Sequence, residues 1–243
     1  MSQAWFVSGA NRGIGLQLVK IIASNPDRIV FAGARNPSKA TDLQDLASHN
    51  PNVHLVKLES TSTSDAIAAA ETVRQVTGGL DVVIANAGIA QDWAKASEAR
   101  IDAFNEHLQV NTIGPIILFQ ALYPLLLQRQ TRKFVTVSTL GGSITYIPNL
   151  PLQATVYGTS KAALNFLTRS IHKEHVGEGF IVFPIHPGLV DTDMGQVVIP
   201  AFGGKASFIS PVESAEGIFK VVDSATVEQA GLFLSYDGSE LPW

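Results

Sequence analysis

Seven short apolar runs alternate with helical patterns along this 243-residue chain, at 4–8, 29–34, 53–58, 81–85, 133–138, 180–185 and 231–234. That alternation constrains the fold more than any other feature. Continuous apolar runs must be covered on both faces, and parallel neighbours need helical crossovers. The pattern therefore predicts an α/β fold, a doubly wound parallel sheet of about seven strands with helices on both faces. Helical patterns fall at about 14–22, 37–48, 65–76, 92–128, from 157 to the glycines at 177 and 179, and 211–222. With 46% hydrophobic and 16% charged residues and no linker or repeat, residues 1–243 are expected to form one domain. Residues 191–210, irregular and glycine-rich, are expected to form a flap over the site.

In such sheets ligands bind beyond the carboxyl ends of the strands. Gly9, Arg35, Asn86, Thr139 and Pro187-Gly188 each follow a strand directly. The first strand leads into Gly9-Ala10-Asn11-Arg12-Gly13-Ile14-Gly15 and then a helix with Ile14, Leu18, Ile21 and Ile22 on one face. Glycines there permit a tight turn and close approach of backbone to a phosphate, and the helix N-terminus attracts the anion. The spacing is G-x-x-x-G-x-G; in its strand-to-helix setting it predicts a Rossmann-type dinucleotide site. An acid after the second strand would bind a ribose 2′-hydroxyl. Arg35 stands there instead, with Arg12 as a second positive charge, so NADP(H) is expected over NAD(H).

Tyr157 and Lys161, four apart at the start of a helix, share a face with a rise of about 6 Å between them. An ammonium beside a phenol favours the phenolate and lowers its pKa toward the range useful for proton transfer. A hydroxyl- and glycine-rich stretch, Thr139-Leu140-Gly141-Gly142-Ser143, precedes that helix. Asn86-Ala87-Gly88 is a small-residue exit turn that lets backbone approach a ligand. Asn111 lies among apolar helical neighbours and needs partners, while Pro115 and Pro124 are expected to bend or interrupt its helix.

A net charge of -4 without a basic block offers no footprint for nucleic acid or an anionic membrane. The most apolar stretch, 113–127, is interrupted by Gly114, Pro115, Gln120 and Pro124 and is shorter than the roughly 20 residues of a membrane span. Absence of cysteine excludes disulfides, a thiol nucleophile and zinc-thiolate sites. The N-terminus shows no signal-like segment, so a cytoplasmic protein is expected. No metal site is expected: His172 and His175, on a helix end read as solvated, lack a third ligand. Asp191 and Asp193 are read as shaping their loop, and His186 as a packed strand-end histidine.

Together these motifs resemble the short-chain dehydrogenase/reductase family over essentially the whole chain. The resemblance implies that the glycine loop (Gly9, Asn11, Arg12, Gly13, Ile14, Gly15) holds a pyrophosphate and that Asn86, Ala87 and Gly88 support it beside the adenine ribose. Arg35, Glu59 and Ser60 belong to the same cofactor edge. Lys161 would bind the nicotinamide ribose and lower the Tyr157 pKa, Tyr157 would protonate a carbonyl oxygen, and Asn111 would hold a water linking Lys161 to solvent. Pro187, Gly188, Val190 and Thr192 would lie at the nicotinamide end. Three positions depart from the family's commonest pattern: Ser8 for threonine, Ala85 for asparagine, and Thr139 at the position of the catalytic serine, with Ser138 and Ser143 as alternatives.

The implied activity is reversible NADPH-dependent reduction of a ketone or aldehyde, as in small carbonyl reductases and fungal polyketide ketone reductases. The alternatives are an NADP(H)-binding regulator without turnover, or an epimerase or dehydratase. Ile144, Tyr146, Ile147 and Leu150, with Val197, Val198, Ile199, Phe202 and Phe208, suggest an apolar pocket for a small, neutral, apolar or aromatic carbonyl compound. Excess apolar surface on 113–127 suggests a partner helix, and the family commonly pairs this helix and the tyrosine helix into homodimers or homotetramers.

Overall fold

A computed structural model describes residues 2–203 and 207–243. The strands are β1 (Gln3–Ser8), β2 (Arg28–Ala34), β3 (Val53–Lys57), β4 (Val82–Ala85), β5 (Lys133–Val137), β6 (Ile181–His186) and β7 (Leu234–Ser235). The α-helices are α1 (Gly13–Ala23), α2 (Thr41–His49), α3 (Thr63–Thr77), α4 (Ile101–Leu108), α5 (Gly114–Leu126), α6 (Thr155–His175), α7 (Asp193–Gln196) and α8 (Pro211–Ser224). All seven strands pair in parallel in the order β3-β2-β1-β4-β5-β6-β7. This is the doubly wound Rossmann architecture, and the winding reverses at the crevice between β1 and β4.

Strand residues alternate between two cores, one on each face of the sheet. Trp5, Val7, Val30 and Ala32 pack with Leu18 and Ile22 of α1 and Ile218 and Val222 of α8. Ala4, Phe6 and Phe31 pack with Ala69 and Val73 of α3 and Leu118 and Leu122 of α5. Both faces are covered, which is why the strands read as unbroken apolar runs. Caps set the helix ends: Ser62 accepts the Asp65 N–H at 3.1 Å, and Ser210 accepts that of Glu213 at 3.0 Å, just ahead of Pro211.

Five expectations need correction. The helix read at 37–48 is a 3-10 turn, Pro37–Lys39, followed after Ala40 by α2. The helix read at 92–128 starts only at Ile101, because residues 89–100 are held by side chains rather than by helical hydrogen bonds. Its interruption is a π-helical turn at Gln109–Ile113 that contains Asn111; Pro115 opens α5, and Pro124 lies inside α5. The last strand is Leu234–Ser235, later and shorter than the run read at 231–234, since Gly231 takes a positive φ of 80° ahead of it. The flap is partly regular, with α7 and a 3-10 turn at Ile199–Phe202, and it is tied back by a bridge between Val190 and Ile209. Its residues 204–206 and the side chain of Ile199 lie outside the described residues, as does Met1.

The apolar excess of 113–127 is largely spent within the chain: Leu118, Phe119, Leu122, Leu125 and Leu126 are buried in the second core. No helix among the described residues is long and apolar enough to cross a membrane.

Candidate active site

A cleft of about 900 Å³ runs across the carboxyl ends of β1, β2, β4 and β5. Its floor at the switch point is glycine by necessity. Gly9 has φ 65°, and a Cβ on it would lie 2.8 Å from the Ala87 Cα; a Cβ on Gly15 would lie 2.2 Å from the Gly9 carbonyl oxygen. Asn11, Arg12, Gly13 and Ile14 line the same floor. Asn86 locks β4 to β1 by donating its side-chain amide to the carbonyls of Ser8 (3.0 Å) and Gly9 (3.2 Å). Ser8 completes the lock, its hydroxyl accepting the N–H groups of Asn86 (3.0 Å) and Ala87 (3.1 Å).

At the β2 edge Arg35 is largely exposed, with its Nε 3.8 Å from the Glu59 carboxylate; Ser60 follows on the same wall. Arg12 reaches across the opposite side to Asp193 of α7, tying the glycine loop to the flap. Asp191 accepts from Gln196, so both aspartates hold the loop. Pro187 and Thr192 line the cleft. The Thr192 hydroxyl caps α7 by accepting the Gly195 N–H at 3.1 Å. Gly188 and Val190 stand behind the wall: Gly188 backs onto Ile209 and Tyr236, and buried Val190 bridges to Ile209.

The inner end of the cleft holds Tyr157 and Lys161, on the first turns of α6. Lys161 is 4% exposed, and its Nζ donates to the Val137 carbonyl at 2.7 Å. Gly88 passes beside it, since a Cβ there would lie 3.5 Å from Nζ. Burial lowers the Lys161 pKa to about 8. Burial pushes Tyr157 up to about 12, and the group pulling it down is the Thr139 side chain, by a hydrogen bond. The ammonium is turned onto the end of β5.

Thr139 is the hydroxyl that acts on the Tyr157 pKa. Its oxygen also accepts the Gly141 N–H at 3.1 Å, which restrains the β-branched side chain. Ser138, at the cleft wall, has its hydroxyl taken by Asn165, donating to Oδ1 at 2.5 Å, buried; Ser143 accepts the Tyr146 N–H at 3.0 Å. Gly142 seats this loop on α6, where a Cβ would lie 2.8 Å from the Lys161 carbonyl carbon.

Asn111 has the partners its burial demands. Its Oδ1 accepts the Ile89 N–H (2.8 Å), and its Nδ2 donates to the Ile89 carbonyl (2.9 Å) and to Ser160 Oγ (2.9 Å). Ser160 in turn donates to the Tyr157 carbonyl at 2.7 Å. Asn111 therefore joins the β4 exit to the tyrosine helix.

Two residues were missed in the sequence. Trp93 packs edge-on to Tyr157 with ring centroids 5.5 Å apart, and buried His107 lies 6.5 Å from the same ring. His107 donates Nδ1–H to the Ala103 carbonyl (2.7 Å) and accepts the Gln91 N–H at Nε2 (3.1 Å), so it holds the loop that carries Trp93. The available signal was a tryptophan shortly after Asn86-Ala87-Gly88, hidden by reading 92–128 as helix. Conversely, Ile144 and Ile147 are 78% and 54% exposed, and Val197 is 58% exposed; none of them lines the cleft. Phe202 and Phe208 pack on each other, 5.9 Å apart.

The histidines read as solvated are half-buried. His172 lies under Gly231, and His175 pairs with Glu178 at 2.9 Å among Phe119, Tyr123 and Phe180. Among the described residues no three His, Cys, Asp or Glu side chains cluster as metal ligands.

Comparison with known proteins gives a consistent picture. A family profile described as short chain dehydrogenase matches residues 3–201. An oxidoreductase of Schizosaccharomyces pombe is 38% identical over 253 residues, covering 100% of this chain and 98% of that protein. Norsolorinic acid ketoreductase of Aspergillus parasiticus is 36% identical, covering 98% of this chain and 90% of its own. The crystal structure of NADPH-bound carbonyl reductase from chicken fatty liver superposes with a TM-score of 0.89 at 33% identity, covering 100% of this chain and 99% of that one.

Proposed function

The chain belongs to the short-chain dehydrogenase family and is an oxidoreductase of carbonyl reductase type, and from that premise we propose that it reduces a ketone or aldehyde with NADPH. The observation that carries this reading is Tyr157 and Lys161 together at the inner end of a cleft floored by glycine, with the Thr139 side chain the group that pulls the phenol's pKa down. The floor fits a dinucleotide: Gly9 and Gly15 leave the space a Cβ would fill, at the N-terminus of α1. Arg12 and Arg35 would receive the 2′-phosphate, exchanging the exposed carboxylate of Asp193 and the half-buried one of Glu59 for it. The NADPH bound by the chicken carbonyl reductase supports the same choice. The cofactor, when bound, supplies the hydride.

The residues do the rest. Thr139 holds the carbonyl oxygen against Tyr157, and Tyr157 gives that oxygen its proton. A phenol at about 12 is protonated at neutral pH and so is a donor in waiting. Lys161 lines the same pocket and supplies a positive charge as the phenolate forms; of its three N–H donors one is held by the Val137 carbonyl. Asn111 keeps Ile89 and α6 in register; with its amide hydrogens committed, any water it holds would rest on an oxygen lone pair. Trp93 forms the apolar side of the carbonyl position, which favours a small, neutral, apolar or aromatic substrate. The exposed Phe166 on α6 favours a homodimer or homotetramer.

The test is a panel of ketones and alcohols run with NADPH, NADH and their oxidised forms, with Tyr157→Phe as control. Turnover with NADPH, reduced by about 10² to 10⁴ in the variant, is expected. Tight NADPH binding without turnover of any carbonyl would sink the proposal and leave a cofactor-binding regulator.

A further inference from the structure

The Thr139 hydroxyl is presented by a short 3-10 turn, Leu140–Gly142, whose leading N–H groups require acceptors from outside the turn. Thr139 itself takes that of Gly141. The Leu140 N–H goes to the imidazole Nδ1 of His186, at 3.3 Å, from the last position of β6. That ring is carried on a fixed backbone, because the His186 carbonyl accepts the Tyr236 N–H at 2.8 Å and His186 pairs with Ser235 of β7.

We propose that His186 is a positioning residue for the reduction: by accepting the Leu140 N–H it fixes the turn that aims the Thr139 hydroxyl at Tyr157. The inference rests on the role proposed above for Thr139. A backbone N–H can only donate, so Nδ1 is the unprotonated nitrogen and the ring is the neutral Nε2–H tautomer. Burial favours that neutral form and holds His186 at about 4, against an opposite pull from Asp237. A ring that merely filled space at the strand end would not need its nitrogen aimed at the loop. Without the acceptor, the Leu140 N–H is left unpaired in a half-buried turn, and the turn is free to rotate toward another partner.

Three substitutions separate acceptor from volume. His186→Leu fills the space without an acceptor. His186→Gln carries one, displaced by a bond, and His186→Asn places Oδ1 where Nδ1 stands. A misplacement of about 1 Å near the reacting atoms can cost about 10²-fold, so Leu and Gln are expected to lower kcat about ten- to hundred-fold. The KM for NADPH should stay at the wild-type value, and Asn should recover most of the rate. Wild-type kcat in His186→Leu, equal loss in Asn and Leu, or a loss confined to KM for NADPH would each overturn the inference. If the Leu variant does not fold, the Asn and Gln variants put the same question. Thr139→Val run beside them separates the two claims. A crippled Thr139→Val with an intact His186→Leu refutes only the positioning role, whereas an intact Thr139→Val refutes the role of Thr139 on which it rests.

Discussion

Thr139→Val keeps the shape of the side chain and deletes one hydroxyl, and the structure assigns that hydroxyl two separable tasks. Its oxygen accepts the Gly141 N–H at 3.1 Å, capping the turn after β5; losing a cap of this kind costs about 1 kcal/mol of stability. In the proposed reaction it also donates to the carbonyl oxygen that Tyr157 protonates, and its side chain is the group that pulls the Tyr157 pKa down. Removing one donor aimed at developing oxyanion charge typically costs about 10² to 10³ in kcat, or about 3 to 4 kcal/mol of barrier. The kinetic loss should therefore exceed the stability loss severalfold and persist per folded molecule, which NADPH-consumption rates and a urea titration on one preparation will show. Thr139→Ser retains both bonds and should stay near wild type. Ser138→Ala should do the reverse, giving up its 2.5 Å bond to Asn165 for about 1 to 3 kcal/mol of stability while keeping its kcat. A Thr139→Val enzyme with more than about a tenth of wild-type kcat, below the smallest loss expected of an oxyanion donor, would refute the reasoning, as would a Ser138→Ala enzyme that is stable but dead.

Arg35→Asp is expected to raise KM for NADPH and improve use of NADH, because a second carboxylate beside Glu59 repels a 2′-phosphate and accepts from a 2′-hydroxyl; unchanged cofactor preference in steady-state kinetics would leave Arg12 as the reader. Stability of the cofactor-free protein should rise with pH between about 8 and 10.5, where the unfolded lysine still holds the proton that buried Lys161 has lost, and fall between about 10 and 12, where folded Tyr157 keeps a proton the unfolded chain releases. Urea midpoints across that range check both limbs, and Lys161→Met should flatten the first. Phe166→Glu should dissociate a dimer seen by sedimentation of the wild type; an assembly unaffected by it would have to use another face.

What was legible in the sequence was whatever depends on local pattern. Apolar runs with covered faces required a parallel sheet, and the residues after each run fell on one edge because parallel strands all point the same way. Gly9, Gly15, Asn86, Tyr157 and Lys161 could be named because each is demanded by its own backbone position or by helical spacing. Residues 37–48 were misread because helical periodicity persists across Ala40, where the backbone leaves the helical region, and 92–128 because the loop ahead of α4 is held by Asn111 and His107, 22 and 16 residues from the groups they bind. The proposal of Thr139 over Ser138 rests on strand β5 ending at Val137 and on Asn165 taking Ser138, a contact 27 residues away. Trp93 meets Tyr157 only because Asn111 and His107 fold residues 89–91 back over α6. Even the protonation state of Tyr157 and Lys161 belongs to tertiary structure. Spacing put an ammonium near a phenol, but burial raised one pKa and lowered the other, and the Lys161 ammonium donates to the Val137 carbonyl. Desolvation is a property of everything packed around a group, and no run of neighbouring residues contains it.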